Sequence, residues 1–86
     1  MSMIEEEKLN EIKARCEQAS PGPWTAWIEG RDGEGGTTFI MVGEGENRKE
    51  DIELPGIPDQ DIDFIANARA DIPLLLKEIE RLKSLI

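Results

Sequence analysis

The sequence predicts a single α+β domain spanning residues 1–86: an N-terminal helix, a small antiparallel sheet of two or three strands, and two C-terminal helices. Three observations predict it. Apolar residues recur at helical spacing toward both ends of the chain. Between those ends, two short segments alternate side chains and flank a glycine-rich loop, the pattern of a hairpin. Proline-containing stops separate the helical parts from the extended part.

The first helix is expected over residues 3–18. Ser2 and Glu5 have the spacing of a capping box, and Leu9, Ile12, Cys16 and Ala19 fall on one stripe. Ser20-Pro21-Gly22-Pro23 stops it, because each proline lacks an N–H and drives its predecessor toward extended geometry. Trp24 to Glu29 then alternates, with Trp24, Ala26 and Ile28 on one side and Trp27 on the other. Thr37 to Val42 is rich in β-branched residues, which suit a pleated surface. Gly30 to Gly36 links the two as a hairpin loop, Gly43 to Glu50 forms a second polar loop, and Ile52 to Leu54 offers a short third strand. A second helix is expected from Asp59 to Ala70, with Asp59 or Asp61 as N-cap. A third is expected to start at Asp71, with Pro73 in its first turn, where a missing N–H costs nothing. In that third helix Ile72, Leu75, Ile79, Leu82 and Ile86 follow a heptad spacing, widened by Leu76 and Leu85.

Composition removes several function classes. The chain has one cysteine and no histidine, so an internal disulfide, a zinc cluster and histidine-based catalysis are all excluded. Cys16 lies on the apolar stripe of the first helix and reads as a small core residue. The net charge is −9, distributed as −2, −5 and −2 over residues 1–20, 21–58 and 59–86. No segment is basic, which argues against long nucleic acid and against an anionic membrane surface. The acidic N-terminus differs from a secretory signal, and a disulfide-free chain fits a reducing compartment, so a cytoplasmic protein is expected. Gly33-Glu34-Gly35-Gly36 lacks the third glycine of a dinucleotide fingerprint and precedes a strand instead of a helix. The segment from Asp32 to Gly43 has glycine where a calcium loop needs its bidentate glutamate. Neither cofactor nor metal is therefore expected, and the protein is read as a non-enzyme. A chain this short buries only about 60–65% of its unfolded surface. Its thin core and its heptad stripe together predict a homo-oligomer, with Ile72, Leu75, Ile79, Leu82 and Ile86 at the interface.

Two segments carry a more specific signal: Ala19-Ser20-Pro21-Gly22-Pro23-Trp24 and Asp63-Phe64-Ile65-Ala66-Asn67-Ala68-Arg69-Ala70-Asp71-Ile72-Pro73-Leu74-Leu75-Leu76. Together they resemble a loose family of small proteins of tailed phages and prophages. Its members pair an Ala-Ser/Thr-Pro-Gly-Pro-Trp motif after a first helix with a Phe-Ile-Ala-x-Ala-Arg-x-Asp-Ile/Val-Pro-x-Leu-Leu motif before a last one. The resemblance covers 20 of the 86 residues and leaves the region between the motifs unmatched. It implies a phage or prophage origin and supplies no catalytic residue. By analogy with small phage proteins that sequester nucleotide signals of bacterial immunity, it also raises a sequestering role.

The residues themselves read mainly as structural and leave a binding role as the alternative. Arg69 shares a helical face with Ile62, Ile65 and Ala66, and a cation on an apolar face needs a partner, a wet exit or an anion to hold. Trp24 and Trp27 are the large aromatic surfaces, able to clamp the core or to stack a base. Arg31 and Arg48, with Lys49, are the remaining loop cations beside the sheet. The expected function is binding of a small anionic, nucleotide-like ligand by Arg69, Trp27, Trp24, Arg31 and Arg48, at a site between subunits. The alternative is a module that binds a host or phage protein.

Overall fold

A computed structural model of the chain describes residues 5–86. Helix α1 runs over Glu6–Gln18, strand β1 over Trp24–Trp27, β2 over Phe39–Val42, β3 over Ile52–Glu53 and helix α2 over Asp59–Lys83. One turn of 3-10 helix, Gly45–Asn47, interrupts the second loop. The expected capping box involves Ser2, which lies outside the described residues. Glu5 stands at the N-cap without a side-chain capping bond. Acidic Glu6 and Glu7 fill the first turn and Arg15 the last, complementing the helix dipole at both ends.

The three strands pair antiparallel in the order β1-β2-β3, with Trp24 opposite Val42, Ala26 opposite Ile40 and Ile40 opposite Ile52. This register puts the alternating set Trp24, Ala26, Ile40 and Val42 on one face. That face meets α2, and the core consists of Ile28, Ile40, Val42, Ile62 and Ala66, with Trp24, Ala26 and Leu54 packed around them. Five buried side chains among the described residues are few, as the chain length predicts. Among the described residues no helix is long and apolar enough to cross a membrane.

The C-terminal region departs from expectation. Residues 59–83 form one helix of 25 residues, and Pro73 lies inside it. The N-cap is Pro58, Asp59 and Asp61 occupy the first turn, and Asp71 caps nothing because the chain is already helical there. Pro73 deprives the Arg69 carbonyl of its helical donor, yet the helix continues. Good helix formers stand on both sides, Ala66, Ala68 and Ala70 before and Leu74, Leu75 and Leu76 after. Both halves are also anchored to the same body. Ile62 and Ala66 pack on the sheet, while Pro73, Leu76 and Ile79 lie against Leu9 and Cys16 of α1. One lost hydrogen bond is smaller than the packing that a break would sacrifice.

Candidate functional site

The two sequence motifs meet in space. The Ser20 carbonyl, in the stop after α1, accepts the indole N–H of Trp24 at 3.2 Å and the Nε–H of Arg69 at 3.0 Å. One acceptor thus ties the Pro-Gly-Pro turn to β1 and to the middle of α2. The aliphatic stem of Arg69 passes close to Gly22, where an added Cβ would lie 3.5 Å from Arg69 Cγ. Arg69 therefore needs no carboxylate to be tolerated on this face, and among the described residues it makes no ion pair. Its Nε is spent on the clasp, whereas among the described residues no protein partner is bonded to its terminal nitrogens Nη1 and Nη2.

Beside the clasp lies an apolar groove of about 320 Å³ between the end of α1 and the first half of α2. Trp24, Phe64, Ile65, Ala68 and Ile72 form its walls, and Arg15 and Arg69 stand at its edges. No carboxylate lines it. The contrast with the rest of the surface is sharp, since the other three clefts described on this chain each include acidic side chains: Glu6 and Glu80, Glu50 and Asp51 with Glu53, and Glu17 with Glu80. In a chain of net charge −9, the groove is apolar, includes two arginines among its lining residues and has no carboxylate. Such a site suits a ligand with an anionic end and a flat or apolar end.

Of the five predicted ligand residues, the structure brings Trp24 and Arg69 together and places the other three elsewhere. Trp27 faces the opposite side of β1, stacks on Phe39 with ring centroids 6.4 Å apart, and lies over Gly33 in the hairpin loop. It covers the outer face of the hairpin and is remote from the groove. Arg31 is held by carboxylates. Its Nη1 and Nη2 donate to Asp63 at 2.8 and 3.1 Å, and its Nε and Nη2 donate to Asp32 at 3.2 and 3.0 Å. The Arg31 guanidinium holds the Asp63 carboxyl below the usual aspartate range and does the same to Asp32, which the Ile28 backbone N–H lowers further. The two carboxylates in turn raise the Arg31 pKa. Arg31 is thus a strap from the hairpin loop to α2, with its charge satisfied. Arg48 is likewise paired, with Asp51.

The predicted interface stripe also divides. Ile79 is half-buried and lines the cleft against Leu9 of α1. Leu75, Leu82 and Ile86 are exposed, and Ile72 forms part of the groove wall. Two groove residues were not singled out from sequence, Arg15 and Phe64. Phe64 had a readable signal, because at 100° per residue it lies far round the helix from Ile62 and so belongs to a second apolar face. Arg15 had none, since a cation in the last turn of a helix reads as dipole compensation. Comparison of the chain with family models, with curated proteins and with solved structures gives no match.

Proposed function

We propose that the protein is a non-catalytic binding module that holds a small anionic ligand bearing an aromatic ring, of the nucleotide class, in the groove between α1 and α2. The supporting observation is an apolar groove whose lining includes Arg15 and Arg69 and no carboxylate. A guanidinium matches a phosphate geometrically, and the terminal nitrogens of Arg69 are free of protein partners among the described residues. Trp24 and Phe64 supply ring surface, and stacking of a base on an aromatic side chain is worth about 1–3 kcal/mol. The overall acidity does not oppose this, because exposed charges more than about 8–10 Å away are largely screened. If the motif resemblance reflects a phage origin, sequestration of a nucleotide signal is the role that such binding would serve.

Thermal denaturation in the presence of mono-, di- and cyclic nucleotides tests the reading. A ligand at 100 times its Kd stabilises by about 2.7 kcal/mol, which raises the Tm of a domain this size by roughly 10–20 °C. Arg15→Ala is the informative variant, because Arg15 takes no part in the Ser20 clasp. The shift should shrink or vanish in Arg15→Ala while the Tm without ligand stays put. A flat response across the panel would sink the proposal.

A further inference from the structure

We infer that the exposed face of α2 is a seam for a second copy of this chain, docked parallel and in register. The inference stands on α2, whose Ile65, Ala68 and Ile72 are also walls of the groove, so a second copy seated there and a groove ligand share that surface. Because the helix runs through Pro73, the apolar spacing of its second half continues back into its first. Within α2, Ile65, Ile72 and Ile79 alternate with Ala68, Leu75 and Leu82 at uninterrupted 3-4 spacing, and Ile86 lies just past the helix end. Written as heptads, every a position is isoleucine and the d positions are alanine, leucine and leucine. Isoleucine at a with leucine at d is the combination that favours two parallel strands.

This seam lies open. Leu75 is 61% exposed, and Ile65, Ile72, Leu82 and Ile86 are exposed as well. Helix α1 covers the adjacent face, where Leu76 and Pro73 meet Lys13 and Cys16, and touches the seam at Ile79. The open side chains form one contiguous apolar strip along α2 and not scattered surface residues, the arrangement that marks an interaction surface.

Charge selects both the occupant and its direction. The g positions are Phe64, Asp71, Glu78 and Leu85, and the e positions are Arg69, Leu76 and Lys83. In a parallel pair each g residue faces the e residue five places on in the other chain. Glu78 then faces the partner's Lys83, and Phe64 faces the partner's Arg69. The antiparallel alignment that matches a with d from Ala68 to Ile86 sets Glu78 against the partner's Glu78 and Arg69 against the partner's Lys83. Both contacts are like-charged. Within one chain Glu78 pairs with Arg81 and Lys83 with Glu6, but these are exposed pairs that exchange readily. Parallel docking also covers the groove, because Ile65, Ala68 and Ile72 are both its walls and seam positions.

Two measurements test this. Sedimentation equilibrium of the intact chain should give twice the 9.6 kDa chain mass, and Leu75→Lys should give the single-chain mass. Leu75 is exposed, so the far-UV circular dichroism of Leu75→Lys should match the parent and exclude unfolding as the cause. For direction, Leu82→Cys in a Cys16→Ser background should form an interchain disulfide on oxidation, because a parallel seam brings the two d positions within disulfide reach. The antiparallel alignment would place Leu82 against the partner's Ile72 and leave the thiols apart. A chain that stays monomeric at high micromolar concentration overturns the proposal, whether that face then serves another protein or none. So does a trimer, or a dimer that fails to cross-link through Leu82→Cys.

Discussion

Gly43 is the residue whose backbone leaves least freedom. It follows β2, has φ +77°, is buried, and donates its N–H to the Pro23 carbonyl at 2.8 Å. A Cβ there would collide with the carbonyl of Asn47 as well as force a left-handed conformation. Gly43→Ala should cost about 2 kcal/mol or more, read as a lower urea midpoint at unchanged slope. Arg31 supports a prediction of a different kind. Both of its carboxylate partners titrate below their ordinary range, chiefly because Arg31 bonds to them. A carboxyl whose folded pKa is depressed adds stability above its unfolded pKa, near 4, and loses it as pH falls through the lower folded value. Thermal melts between pH 7 and pH 2 should therefore fall more steeply for the parent chain than for Arg31→Ala. Equal slopes would mean that the strap contributes nothing to the folded state. The charge of Arg31 was visible in the sequence and its partner was not, since Asp63 lies 32 positions away on another element. For Arg69 the apolar face was legible, but the acceptor proved to be a backbone oxygen, which no side-chain pattern can reveal.

At the scale of elements, the hairpin and the third strand were readable because alternation, loop glycines and β-branched residues agree with one another. Strand ends were trimmed. Glu29 leaves the ladder for a bridge to Gly33, and Thr38 uses its hydroxyl to accept the Glu29 N–H instead of extending β2. The division of α2 into two helices was the error. Asp71 and Pro73 form a valid local start signal, and tertiary anchoring at both ends overrode it. The observed helix implies a test. A proline in a helix interior costs about 3 kcal/mol relative to alanine, and the ring of Pro73 regains part of that by lining the cleft beside Cys16. Pro73→Ala should stabilise the chain by about 1–3 kcal/mol in denaturant melts. At the first turn of a separate helix, the same substitution would be neutral or slightly harmful.

The whole molecule is elongated, 53 × 33 × 19 Å, since α2 extends past the sheet and keeps only α1 for company along its second half. This shape explains why the composition was informative about exclusions and poor at locating a site. Net charge describes the average surface, and the groove is an exception to it, assembled from cations 54 positions apart that neither the charge distribution nor the helix patterns could bring together. The candidate site thus became visible only where the turn after α1 folds back onto α2.

The placement of Trp24 and Trp27 on opposite faces of β1 makes the molecule its own optical probe. The two are the only tryptophans, and the chain has no tyrosine, so ultraviolet emission reports on them alone. Trp24 lines the groove with its indole N–H on the Ser20 carbonyl, while Trp27 rests on Phe39 beyond the sheet. Trp27→Phe should leave a chain whose fluorescence comes from the groove and whose emission changes on titration with a bound nucleotide. Trp24→Phe should leave a lamp on the far side, steady through the same titration. A response that follows Trp27 instead would move the ligand to the outer face of the sheet.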